Sequence, residues 1–69
     1  MDPHELTVIR TDDTERTFRG GFRELALLRA RLEMAREAGE VGILVHDLST
    51  GRVSVRIDRL REIGRVVPA

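Results

Sequence analysis

One stretch of the chain, residues 22–38, constrains the fold more than any other feature. Leu, Ala, Arg, Glu and Met, all strong helix formers, dominate its composition. Gly20 and Gly21 precede it and Gly39 follows it, and glycines at these positions break or end a helix. The sequence therefore predicts one long helix, Phe22–Ala38, in a chain whose other segments are short and rich in β-branched residues.

This helix carries two apolar stripes, whereas a surface helix normally has one. Placed at about 100° per residue, its apolar side chains fall into two groups centred roughly 130° apart. The first stripe comprises Leu25, Leu28, Leu32 and Ala35, and the second stripe comprises Leu27, Ala30, Met34 and Ala38. A sheet covers only one side of a helix, so the first stripe is predicted to face the core. The second stripe is either covered by the C-terminal segment or contacts another chain, most simply as an isologous helix pair about a two-fold axis.

The segment before the helix predicts a β-hairpin over about residues 5–19, because two strand-like runs flank a polar turn. A two-residue loop would place Ile9 and Phe18 on one face. A three-residue loop would instead group Leu6, Val8 and Phe18 there. The second arrangement buries more apolar surface, and we predict it.

After the helix, alternating sequences predict strands at Val41–Asp47 and Arg52–Asp58. Reading residues 49–51 as a three-residue loop, with Gly51 left-handed, puts the β-branched side chains on one side. That side comprises Val41, Ile43, Val45, Val53, Val55 and Ile57, and the opposite side comprises Leu44, His46, Ser54 and Arg56. His46 is therefore predicted to face solvent.

The C-terminal residues predict a small appendage to this hairpin. Asp58 is suited to cap a helical turn over residues 59–63 that Gly64 stops, and residues 65–67 add an edge strand. Helix and strands do not alternate singly along the chain. We therefore predict one α+β domain over residues 1–69, with an antiparallel sheet of four to five strands in ββαββ order and the long helix packed on one face.

Composition limits what such a domain does. The chain has no cysteine, which excludes disulfides, thiolate metal ligands and cysteine nucleophiles. Small domains without such staples often rely on a partner subunit. No apolar run approaches the ~20 residues of a membrane span, and the acidic start does not resemble a secretion signal, so we expect a cytoplasmic protein.

No group of residues predicts catalysis, a cofactor or a metal ion. His46 and Asp47 are neighbours in a strand, so they point to opposite faces and do not form a catalytic pair. His4 with its acidic neighbours offers too few ligands for a metal. The pair Gly20-Gly21 lacks both the Walker and the dinucleotide-binding patterns. We therefore expect a protein that is not an enzyme.

All twelve basic residues are arginine, and residues 48–69 hold five of them against two acidic residues. Four are spaced to follow a phosphate backbone: Arg52, Arg56, Arg59 and Arg61. Single-strand binders usually add stacking aromatics, of which the chain has only Phe18 and Phe22. Our first hypothesis is thus a homodimer or higher oligomer, a small adaptor or regulatory module that uses the second helix stripe. A nucleic-acid-binding regulator is the alternative.

Overall fold

A computed structural model describes residues 2–69 of the chain. The elements are β1 (His4–Arg10), β2 (Glu15–Gly20), α1 (Phe22–Glu37), β3 (Ile43–Leu48), β4 (Gly51–Arg56), a 3₁₀ turn (Ile57–Arg59) and β5 (Leu60–Pro68). The strands form two antiparallel sheets, β2–β1–β5 and β3–β4. The predicted α+β class with one long helix is confirmed. The prediction of a single sheet is wrong, because β5 takes the second edge of β1 and leaves β3 and β4 to pair only with each other.

The first hairpin has the predicted register. Leu6 lies opposite Phe18, and Arg10 and Thr14 close a three-residue loop through a 2.9 Å hydrogen bond from the Arg10 N–H to the Thr14 carbonyl. Asp13 supplies the left-handed loop residue, with φ 69°. Leu6, Val8 and Phe18 are all buried, so this hairpin forms one wall of the core.

Helix α1 lies on the core through its first stripe. Leu25, Leu28 and Leu32 are fully buried and Ala35 nearly so, as the periodicity predicted. The helix ends at Glu37, one residue before the predicted end, and Gly39 then adopts a left-handed φ of 69°. Within residues 2–69, no helix combines the length and apolar character that a membrane crossing requires.

The second hairpin differs from the prediction by one residue. Leu48 lies opposite Gly51, so the loop is the two-residue Ser49-Thr50, and Leu44 lies opposite Val55. A shift of one residue turns every side chain of one strand to the other face. The core face therefore carries Leu44, His46, Leu48, Val53 and Val55, while the outer face carries Ile43, Val45, Asp47, Arg52, Ser54 and Arg56. The predicted grouping of Ile43 and Val45 with Val53 and Val55 is wrong.

Residues 60–63 belong to a strand where a short helical turn was predicted, and the predicted edge strand at residues 65–67 is part of the same strand, β5. β5 runs antiparallel to β1, with Val8 opposite Ile63 and a register shift between Leu6 and Val8. Gly64 lies at this bulge, where a side-chain Cβ would come within 2.6 Å of the Thr7 carbonyl oxygen. Gly64 thus permits a close backbone approach and does not end a helix. A nine-residue strand satisfies the open edge of β1, which one helical turn would leave unpaired.

Candidate interaction surface

The second stripe of helix α1 lies in solvent. Leu27 is 57% exposed and Met34 is 71% exposed, and the two lie on one helix face two turns apart. Ala30 and Ala38 are exposed beside them. β5 lies along another side of the helix, where the Arg29 side chain donates a 2.7 Å hydrogen bond to the Gly64 carbonyl. The C-terminal segment therefore does not cover the second stripe.

Strand β3 extends this apolar surface. Ile43 and Val45 are 60% and 49% exposed, and Val41 just before the strand is 81% exposed. One shallow depression beside the helix is lined by Met34 and Leu44, and its neighbour is lined by Leu44 and the exposed β-branched residues. We call the combined surface the helix–strand patch; it comprises Leu27, Ala30, Met34, Ala38, Val41, Ile43 and Val45.

Two charged residues of opposite sign line both depressions of the patch, Arg31 and Glu40. Arg31 is held in place, since its Nη1 donates to the Val45 carbonyl at 3.3 Å and to His46 Nδ1 at 2.7 Å. Neither Arg31 nor Glu40 forms an ion pair with a residue of the part of the chain that the structure describes. Arg31 and Glu40 therefore give the patch one charge of each sign where helix α1 meets β3.

His46 is buried between the second hairpin and helix α1, with 7% of its surface exposed. The prediction that it faces solvent is wrong, because the hairpin register turns it toward the helix. A guanidinium only donates hydrogen bonds, so His46 Nδ1 is the acceptor in this contact. Asp47 points to the opposite face, as predicted, and accepts a 2.7 Å hydrogen bond from Arg52 Nε.

Glu24 connects the start of helix α1 to the second hairpin. Its carboxylate accepts hydrogen bonds from the Gly21 N–H at 2.7 Å and from the Ser49 N–H and hydroxyl, each at 2.6 Å. These bonds, the Ser49 hydroxyl first, lower the pKa of Glu24. Sequence reasoning missed this residue, although Glu at the third helical position is a known capping signal.

The four arginines predicted to contact nucleic acid have different surroundings in the structure. Arg52 is paired with Asp47, and this contact lowers the pKa of that carboxyl group. Arg61 is paired with Asp13 at 2.9 Å. Arg56 and Arg59 instead line a cleft together with arginines of the first hairpin. The predicted set is thus divided between two ion pairs and one cleft.

Comparison with known proteins finds no matching family, no matching curated protein and no matching solved structure. In residues 2–69, no group of three or more His, Asp or Glu side chains is arranged to hold a metal ion. The patch and the arginine cleft are therefore the features from which function is inferred.

Proposed function

We propose that the chain is a small, non-enzymatic cytoplasmic module that self-associates through the helix–strand patch and acts as an adaptor or regulator by protein contacts. The observation that carries this proposal is the exposure of Leu27 and Met34 on one helix face, beside the exposed side chains of β3. Contiguous exposed apolar surface of this kind marks contact sites in folded proteins. A docked partner would remove these side chains from water.

A second copy of the chain is the partner that the patch fits best. In an isologous interface each group of one protomer meets the complementary group of the other, so a surface with one charge of each sign complements itself. Arg31 of one protomer would then lie near Glu40 of the other. Ala30 and Ala38 present small side chains on the helix, which lets two helices approach closely.

The edge of β3 that faces away from β4 supports the same assignment, with its Val45 carbonyl accepting a hydrogen bond from Arg31. β3 pairs with β4 on one side only, and its other edge is paired with no strand of residues 2–69. Edge strands with exposed β-branched residues are prone to association unless charged or covered groups block them. A copy seated on the patch would cover this edge and the second stripe together.

The mass of the protein in solution, measured by light scattering over a dilution series, tests the proposal. The wild-type chain should have at least twice the mass of one chain at high concentration, and the variant Leu27→Glu/Met34→Glu should have the mass of one chain. Val67→Glu is the matched control, since Val67 is 47% exposed but lies outside the patch. A wild-type mass of one chain at every concentration, or an unchanged mass in the double variant, would exclude this function.

Nucleic-acid binding is a second hypothesis, and the exposed Arg56 and Arg59, which form no ion pair within the described residues, are what favours it. Binding to DNA or RNA should then fall steeply with salt and be lost in Arg56→Ala/Arg59→Ala. The pairing of Arg52 and Arg61 with carboxylates weakens this hypothesis, because those two arginines would first have to leave their partners.

A further inference from the structure

Four arginines from distant parts of the sequence line one cleft of about 280 Å³. The cleft lies between the tip of the first hairpin, the end of β4 and the 3₁₀ turn. Its arginines are Arg10, Arg16, Arg56 and Arg59. Asp12 is the one carboxylate among its lining residues, so the cleft concentrates positive charge on a chain whose net charge is zero.

None of these four guanidinium groups is paired with a carboxylate of residues 2–69. Other arginines of the chain are paired: Arg19, Arg29, Arg52 and Arg61. Asp12 accepts two hydrogen bonds from Thr14 on the same oxygen, Oδ1, from the hydroxyl at 2.6 Å and the N–H at 3.1 Å, which hold its carboxylate at the hairpin tip. Neighbouring like charges repel one another, and a bound anion would relieve this repulsion.

Two of the four arginines are held in position before any ligand binds. Arg16 Nη1 donates a 2.5 Å hydrogen bond to the Ser54 carbonyl, and the guanidinium lies 4.8 Å from the centre of the Phe18 ring. Arg10 Nη1 donates to the Thr14 hydroxyl at 3.3 Å. Side chains fixed in this way lose little conformational entropy on binding. Buried Val8 and Val55 also line the cleft.

We propose that this cleft binds a small molecule that carries two or more linked phosphate groups. The planar guanidinium fork matches phosphate oxygens, and four such forks exceed what a single carboxylate ligand would use. Asp12 lines the cleft, and Asp13 and Asp58 are sequence neighbours of its lining residues Asp12 and Arg59. A long polyanion would extend past the cleft and meet Asp13 and Asp58 as well, whereas a compact phosphate ligand would meet Asp12 alone.

Isothermal titration of the full chain with inorganic triphosphate, and separately with ATP, tests this site. The variant Arg56→Gln/Arg59→Gln removes two exposed arginines. It should lower the affinity for these ligands about tenfold or more for each arginine replaced, because each replacement removes a charge-assisted contact. The matched control Arg52→Gln/Arg61→Gln removes the same charge from β4 and β5, at two positions that do not line the cleft. We expect it to lower the affinity less than about threefold, through long-range charge alone.

Several outcomes would overturn the inference. They are no heat of binding with either ligand at low salt, an equal loss of affinity in the two variants, or displacement of triphosphate by sulfate at equal ionic strength. Binding to a single-stranded oligonucleotide without binding to triphosphate would assign the cleft to a polymer instead. The variant Leu27→Glu/Met34→Glu should keep wild-type triphosphate affinity, so the cleft and the patch are tested independently.

Discussion

Glu24 of helix α1 and Ser49 of the β3–β4 loop, twenty-five residues apart in sequence, form two hydrogen bonds of 2.6 Å, one to the Ser49 N–H and one to its hydroxyl. The same carboxylate accepts the Gly21 N–H at the helix start. One side chain thus caps the helix and fastens the second hairpin to it. Because β3 carries part of the helix–strand patch, this contact also sets the position of Ile43 and Val45 relative to Leu27 and Met34.

The Glu24 contact predicts a dependence of stability on acid pH. Hydrogen bonds to its carboxylate hold the pKa of Glu24 below 4.5, so the stability it adds is fully present above that pH and is lost as the pH falls through the lowered pKa. Glu24→Gln should lower the melting temperature at pH 7 and flatten its decline below pH 4.5. Exposed Glu37→Gln is the control, and parallel melting curves for both variants against pH would contradict the assignment.

The two helix stripes predict opposite responses to truncation. Leu28→Ala leaves a cavity in the core and should destabilise the monomer by about 2–5 kcal/mol. Leu27→Ala removes an exposed side chain and should change monomer stability by less than about 0.5 kcal/mol, while weakening self-association. Urea unfolding at protein concentrations low enough for the dimer to dissociate measures the change in monomer stability. Similar losses in both variants would mean that the second stripe is covered within one chain.

Close packing at the β5 bulge predicts that Gly64 does not tolerate a side chain. A Cβ at this position would come within 2.6 Å of a backbone oxygen, which does not move as freely as the end of a side chain. Gly64→Ala should therefore destabilise the protein by about 1–3 kcal/mol. Arg65→Ala, at the next and exposed position, is the control for loss of side-chain contacts. Equal denaturation midpoints for Gly64→Ala and the wild type would contradict the close approach.

Charge complementarity in the patch predicts the effect of reversing one charge. A two-fold dimer contains the contact between Arg31 and Glu40 twice, so Glu40→Arg turns two attractions into two repulsions and should weaken dimerisation about tenfold or more. Arg31 stays unchanged in this test because it also holds His46. The control Glu62→Arg makes the same charge change at an exposed position of β5, away from the patch. Sedimentation at low salt measures the dimer dissociation constant of each variant. Equal constants for Glu40→Arg and Glu62→Arg would exclude the proposed orientation.

Local sequence patterns were sufficient for the helix and the first hairpin. Of the two loops compatible with residues 5–19, the three-residue loop buries Leu6, Val8 and Phe18 together, and the structure has it. The periodicity of residues 22–38 likewise separated two stripes and assigned the first to the core, whereas it left open what covers the second, which the structure shows to be exposed. In both elements the residues that decide the structure lie close together in sequence.

The second hairpin shows where such patterns fail. Grouping all β-branched residues on one face gave a plausible register, but helix α1 selects the other one. Glu24 binds the N–H of Ser49 and Arg31 binds the ring of His46, and both contacts require the two-residue loop with His46 turned inward. These contacts span fifteen residues or more, so alternation within the hairpin contains no trace of them.

The arginine cleft was beyond prediction for a related reason. Arg10 and Arg16 belong to the first hairpin, while Arg56 ends β4 and Arg59 lies in the 3₁₀ turn. Contacts between residues far apart in sequence bring these ends together, among them the pairing of β5 with β1 and the hydrogen bond from the Thr11 N–H to the Arg59 carbonyl. The sequence favoured a helical turn at residues 59–63, because Asp58 is suited to cap a helix and Gly64 to end one. Arg56 and Arg59 were therefore grouped with Arg52 and Arg61, which the structure pairs with carboxylates.

The isolation of the β3–β4 sheet links the two proposed sites. Ile43 of the patch lies directly opposite Arg56 of the cleft in the ladder of this hairpin. No strand ladder joins the hairpin to the β2–β1–β5 sheet. A ligand that binds Arg56 and a partner that packs on Ile43 would therefore contact the same two-stranded unit, one through each of its strands.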